Sequence, residues 1–211
     1  MLKPLIRKLL FAICSICMFS TNAYTQNANL KIKVNDPVPL LPNKTLDGKT
    51  IDENYYKGHI TLVSFMFIGC VPCMNEIGVL NKIKKEYTAN KQFQMLCVAR
   101  QMKQQMVQFN ATDSSIFSRI RRAMNVDSIQ YSIQPACNDE ASKILTEGNH
   151  ITVKSECTTL EEKYGITSFP TIFYVDKKGI VRKIKQGGPP AQNDTFFYKE
   201  VKRDIDSLLS E

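Results

Sequence analysis

Residues 60–73 read Ile60-Thr61-Leu62-Val63-Ser64-Phe65-Met66-Phe67-Ile68-Gly69-Cys70-Val71-Pro72-Cys73. The run Ile60 to Phe67 is almost continuously apolar, the pattern of a strand covered on both faces. Behind the cysteines, Ile77, Leu80, Ile83 and Tyr87 recur at helical spacing, with Asn81, Lys82, Lys84 and Lys85 between them. Pro72 fits the first turn of that helix, where a missing N–H costs nothing. Phe93 to Ala99 reads as the next buried strand, so strand, helix and strand form a parallel crossover unit. The cysteines therefore open a helix. A helix N-terminus carries unpaired N–H groups and partial positive charge, which stabilise a thiolate and make it an available nucleophile. On this reading Cys70, the outer cysteine, attacks a partner disulfide, and Cys73, about one turn in, resolves the mixed disulfide. A zinc site would require two more ligands at short spacing. The chain offers only His59 and His150 as histidines, far apart, and its other Cys-x-x-Cys, Cys14 and Cys17, lies within the apolar stretch near the N-terminus.

Upstream, Asn35-Asp36-Pro37, Pro39, Pro42 and Asp47-Gly48-Lys49 mark turns between short segments. Downstream, Asp113 or Ser114 is expected to cap a helix using Ile116, Phe117, Ile120 and Met124. Ile129, Tyr131 and Ile133 alternate like a strand, and residues 156–164 suggest a further helix stopped by Gly165. Phe169-Pro170-Thr171 then leads into a strand, Ile172 to Val175. Asp176-Lys177-Lys178-Gly179 is a turn, and Ile180 to Lys185 a second strand, together a hairpin. After Gly187-Gly188-Pro189-Pro190, the residues Phe197, Val201, Ile205 and Leu208 mark a closing amphipathic helix.

The 211 residues suffice for one domain with a core. Residues 1–23 have the layout of a secretory signal peptide: a basic start at Lys3, Arg7 and Lys8, an apolar stretch from Leu9 to Phe19, then Ser20-Thr21-Asn22-Ala23. That stretch is short for a membrane span, so membrane anchoring is expected only if the leader stays uncleaved. Residues 24–211 then form a single domain in an exported, periplasmic or cell-envelope setting. Cleavage removes three positive charges from a formal +8. What remains is a dispersed positive charge, densest at Arg119, Arg121 and Arg122, which suits solubility or an acidic partner surface and gives no case for nucleic acid. The mature part keeps Cys70, Cys73, Cys97, Cys137 and Cys157, an odd number, so at least one thiol is free or pairs outside the chain. Cys97 sits in an apolar strand and reads as an inert buried thiol. For Cys137 and Cys157 a structural disulfide, a second relay and two unrelated thiols all stay open.

Lys57-Gly58-His59 running into ITLVSFMFIGCVPCMNEIGVLNKIKKEY resembles the catalytic segment of TlpA/ResA-type thioredoxin-like proteins of the redoxin superfamily. Asp36-Pro37-Val38-Pro39 and Asp47-Gly48-Lys49-Thr50 resemble that family's N-terminal extension, and Tyr164-Gly165-Ile166-Thr167-Ser168-Phe169-Pro170-Thr171 its segment around a cis-proline. The resemblance spans roughly residues 35–99 and 156–211. It implies an α/β thioredoxin fold with an N-terminal extension and a central insertion at approximately 100–155. It implies that Pro170 is cis, faces the cysteines and turns the backbone of Phe169 toward a substrate strand. It also implies that Glu76, three residues after Cys73, influences proton traffic at the pair. On the residues alone, Glu76 could equally be a solvent-facing helix glutamate, and Pro170 a trans proline opening a strand. Thioredoxins proper carry a buried acid in the strand six residues before the first cysteine; here that place is Ser64.

The expected function is a thiol–disulfide oxidoreductase acting on protein thiols and disulfides, reducing exported proteins, with an upstream redox partner, no cofactor and no metal. Two alternatives stand beside it. A copper-handling assembly factor like the SCO proteins would use two thiolates and His150, although that family spaces its cysteines CxxxC. A thiol peroxidase would need a hydroxyl three residues before its reactive cysteine, where Phe67 precedes Cys70.

Overall fold

The computed structural model describes residues 30–40, 44–137, 142–147, 150–155 and 163–211, with residues 136–137, 142–147 and 150–155 described by their backbone. A short helix, α1 (Glu53–Tyr56), leads into β1 (Ile60–Met66), α2 (Val71–Glu86) and β2 (Phe93–Met102). Two helices, α3 (Lys103–Asn110) and α4 (Ile116–Ala123), connect to β3 (Ser132–Cys137). A hairpin of β4 (Ser142–Glu147) and β5 (His150–Ser155) follows, then β6 (Thr171–Val175), β7 (Val181–Gln186) and α5 (Thr195–Leu209).

Five strands form one sheet in the order β3-β2-β1-β6-β7. β1 and β2 pair in parallel, as do β2 and β3, while β6 and β7 run antiparallel to their neighbours. β1 is central and every one of its residues is buried, which is why its sequence shows no polar side. Its side chains nevertheless alternate between two cores. Val63 and Phe65 face a core closed by Val38, Ile51, Tyr56, Tyr164 and Ile166. The N-terminal extension is held there by a bridge between Pro37 and Ile180. Ile60 and Leu62 face α2 and α5, meeting Val79, Leu80 and Ile83. The four residues that marked the closing helix, Phe197, Val201, Ile205 and Leu208, are all buried in this same core. Met66 belongs to a third cluster with Cys70, Cys73, Met74, Cys97 and Phe109, beneath the cysteine pair.

The middle of the chain departs from the sequence reading. The N-cap of α4 is Ser115, not Asp113 or Ser114. Asp113 instead accepts from the Ser115 N–H and hydroxyl, closing the turn one residue earlier. The Ile129–Ile133 alternation does not make a strand along its whole length, because β3 begins only at Ser132. The N–H groups of Ile129 and Gln130 donate to the side chains of Asn110 and Asn81, and the carbonyls of Ile129 and Ser128 accept from the same two amides. Two asparagines thus take the place of a strand neighbour. α3 has only Met106 and Phe109 buried, too few apolar positions to declare a period. Residues 103–137 supply α3, α4 and an edge strand of the main sheet, and the β4–β5 hairpin forms a separate two-stranded sheet beyond them. The helix expected over 156–164 falls mostly outside the described residues, as does Cys157 and hence any bridge to Cys137.

Candidate active site

β1 runs out at Met66, and the chain turns through Phe67, Ile68 and Gly69 into α2. Gly69 has φ +105°, a conformation that L side chains rarely adopt. Cys70 is the N-cap of α2: its backbone is extended, and its sulfur accepts the Cys73 N–H at 3.2 Å. The sulfur thus occupies the place of a capping oxygen, where the orphan N–H groups of the first turn converge. Pro72 stands in that first turn. Cys70 and Cys73 form a disulfide with their Cα atoms 5.2 Å apart. Cys70 keeps 8 % of its surface exposed and Cys73 none, while Val71 between them is 58 % exposed. Both cysteines are buried, the N-terminal one less completely.

The opposite wall comes from the segment before β6. The Phe169–Pro170 peptide bond is cis, and the Phe169 carbonyl oxygen lies 3.6 Å from the Cys70 sulfur. The Phe169 ring meets the Phe67 ring edge to face, centroids 5.3 Å apart. Phe67, at the offset where a peroxidase would place a hydroxyl, is therefore part of an aromatic rim.

Glu76 does not face solvent. It is 1 % exposed, on the side of α2 that packs on the sheet. Ser64 is in phase with Leu62 along β1 and so points to the same side. Its hydroxyl donates to Glu76 Oε2 at 2.5 Å, and Glu76 Oε1 has no hydrogen-bond partner among the described residues. Burial pushes the Glu76 carboxyl up to about 8; the Ser64 hydrogen bond and the Lys185 charge only moderate the rise. The carboxyl is neutral at neutral pH. Cys97 lies beside Ser64 in the β1–β2 register, wholly buried and free. Burial, with the Glu76 charge in second place, raises its thiol far above the ordinary value, so it stays protonated and unreactive. Among the described residues no three His, Cys, Asp or Glu side chains gather as a metal site. His150 is described by its backbone in β5.

The structure brings Cys70, Cys73, Phe169 and Pro170 to one surface and seats Glu76 beneath it. The Ser64–Glu76 pair went unread in the sequence. The signal lay in the strand phase: a serine at a core position of β1, opposite a helix glutamate one turn past the cysteines.

The Redoxin family model matches residues 33–199. The chain belongs to the Redoxin family, and its fold and cysteine pair are those of a thioredoxin-like thiol–disulfide oxidoreductase. No curated protein matches the sequence. Among solved structures, a Chlorobium tepidum protein provisionally named thiol:disulfide interchange protein DsbE is similar at TM-score 0.54 and 17% identity, covering 84% of this chain and 99% of its own. A thiol-disulfide isomerase from Corynebacterium glutamicum gives TM-score 0.52 at 18% identity, covering 84% and 97% respectively. A yeast mitochondrial 1-Cys peroxiredoxin gives 0.53 at 16%, covering 84% and 76%. At these identities the likeness is one of fold. It includes a peroxidase, so the chemistry must be argued from the site.

Proposed function

We propose that this protein reduces disulfides of exported proteins, with Cys70 as the attacking thiol and Cys73 as the resolving one. One observation carries the reading: the sulfur of Cys70, the less buried of the two cysteines, caps a helix N-terminus and lies against the cis Phe169–Pro170 segment. The Cys70 thiolate attacks one sulfur of a substrate disulfide, forming a mixed disulfide and releasing one substrate thiolate. The Cys73 thiolate then attacks Cys70, re-forming the Cys70–Cys73 bond and releasing the second substrate thiolate. Two electrons pass to the substrate, whose two thiolates take up protons, and an upstream thiol partner returns the pair to the dithiol. Cis-Pro170 turns the Phe169 backbone toward the substrate, beside the sulfur it must reach. Glu76 tunes the pair. Neutral below about 8, it leaves the helix field on Cys70 unopposed; ionised above that, its charge opposes thiolate formation and it can accept or pass a proton.

The proposal of export rests on residues 1–23, whose basic start and apolar stretch suit a cleaved leader ahead of the domain at 24–211. Among the described residues no helix is long and apolar enough to cross a membrane. The names of the neighbouring interchange protein and isomerase agree with exchange chemistry. The test is trapping. Cys73→Ser should accumulate mixed disulfides through Cys70, and Cys70→Ser almost none; equal trapping by the two would overturn the assignment. A redox titration fixes the direction: a potential near thioredoxin's marks a reductant, and one near that of a strong oxidant reverses the reading.

A further inference from the structure

The loop after β7 is wedged between the two segments that carry the proposed chemistry. A Cβ on Gly188 would come within 2.7 Å of the Pro72 carbonyl oxygen and 2.8 Å of Pro170 Cγ, so only glycine lets the loop lie against both. The Gly187 N–H donates to the Pro170 carbonyl at 2.9 Å. The next two residues, Pro189 and Pro190, have no N–H and cannot tie the loop down by donating. Their carbonyls are held from α2 instead: Asn75 Nδ2 donates to Pro189 at 3.2 Å and to Pro190 at 2.8 Å. Farther along, a Cβ on Gly78 would stand 3.0 Å from Gln192 Cβ, so the loop rests on α2 over a full turn. The contacts close a ring: from Asn75 through the loop to Pro170, back through Phe169 to Cys70 at 3.6 Å, and along α2 to Asn75.

We propose that Asn75 is a positioning residue that fixes the gap between Cys70 and the Phe169 backbone by clamping the Gly187–Pro190 loop onto the helix. The inference rests on the exchange reaction proposed above. Its consequence is selective. A protein disulfide must lie along Phe169 while Cys70 attacks it, so it feels the width of that gap. A small aromatic disulfide needs only the Cys70 sulfur. Losing the two hydrogen bonds of one amide corresponds to about a tenfold effect on the step they support.

The test is single-turnover oxidation of the fully reduced protein by two disulfides, insulin and 5,5′-dithiobis(2-nitrobenzoate). Asn75→Leu keeps the side-chain size and removes the donor. The expected result is a rise of about tenfold in the half-saturating insulin concentration. The rate with the small disulfide should stay within about twofold, and the Cys70 thiol titration should not move. Gly188→Ala, which pushes the same loop outward, should show the same selective loss. Equal losses on both disulfides would mark Asn75 as merely structural, and an unchanged insulin reaction would show that the clamp does not set the gap; either overturns the proposal. A wild-type protein that reduced neither disulfide would overturn the exchange reading itself, and this inference with it.

Discussion

Two buried carboxylates in this molecule have opposite fates. Glu76, under the cysteine pair, receives one hydrogen bond from Ser64 and is pushed up to about 8 by burial. Asp176, in the turn between β6 and β7, is also buried, and burial raises it too. Three hydrogen bonds donated to its carboxylate and the Arg182 charge more than compensate and hold it below the usual carboxylate range. Asp176 Oδ1 accepts from the N–H groups of Lys178 and Ile180 at 2.8 and 2.9 Å, Oδ2 accepts from Arg182 Nε at 2.8 Å, and the Asp176 carbonyl accepts from Gly179. The difference is the number of donors facing the charged form. A carboxylate meant to stay charged is surrounded by N–H groups. One left with a single hydroxyl and an empty oxygen holds its proton at neutral pH and can release it near 8, within reach of thiol chemistry.

The largest expected effect comes from removing the well-served partner. Asp176→Ala strands two backbone donors and a guanidinium and should cost about 3 kcal/mol, lowering Tm by about 10 °C. Disulfide exchange by the folded fraction should be unchanged. A loss below about 1 kcal/mol in denaturant titration would show that the donors are served by water instead. The sign for Asp176 is that of a depressed carboxyl: its stabilisation is present above the ordinary carboxylate value and is lost as pH falls through the native one.

Glu76 has the reverse sign. The folded protein holds a proton that the unfolded chain releases near 4.5, so stability is full below 4.5 and declines as pH rises to about 8. The decline should be on the order of 5 kcal/mol, and Glu76→Gln should flatten it. The same variant should shift the thiolate absorbance titration of the cysteines and alter the rate–pH profile, with exchange still measurable. Superimposable thiolate curves for the two proteins would end the tuning role.

Ser64→Ala removes the one donor that Glu76 has among the described residues and should raise its carboxyl further. The alkaline inflection of the exchange rate should move up by about one pH unit, worth about 1.4 kcal/mol. A downward move would mean that the serine hydroxyl serves the neutral acid. The smallest effect belongs to a carboxylate at the surface. Asp206 accepts from the Tyr87 hydroxyl and pairs with Lys202 at 3.0 Å, and it is held low against its partial burial by those two partners. Asp206→Asn should cost less than about 1 kcal/mol, diminishing further in salt. A larger loss would place it with Asp176 rather than with ordinary rim charges.

Much of this was legible in the chain itself. The apolar run 60–67, the cysteine spacing and the helical recurrence after it define the β1–α2 unit, because such periodicities are local and tolerate no other partner arrangement. The hairpin at 172–185 and the closing helix were visible for the same reason. The stretch 103–137 was opaque. α3 shows only two buried positions, and of the alternation at 129–133 only the end, from Ser132, pairs in the sheet, while residues 128–130 are held by two asparagine amides.

By itself, then, the sequence determined the strand, the helix and the placing of two cysteines at that helix's N-terminus, since each depends on residues within a few turns of one another. It also supplied Glu76, but not its environment. That the glutamate lies against Ser64, that the Phe169–Pro170 bond faces Cys70, and that Asn75 reaches Pro189 and Pro190 were decided by the tertiary structure. These contacts join residues 12, 99 and more than 110 positions apart. The helix field on a thiolate acts within one turn. The desolvation that holds a proton on a carboxyl depends on everything packed around it, and only the completed fold brings those groups together.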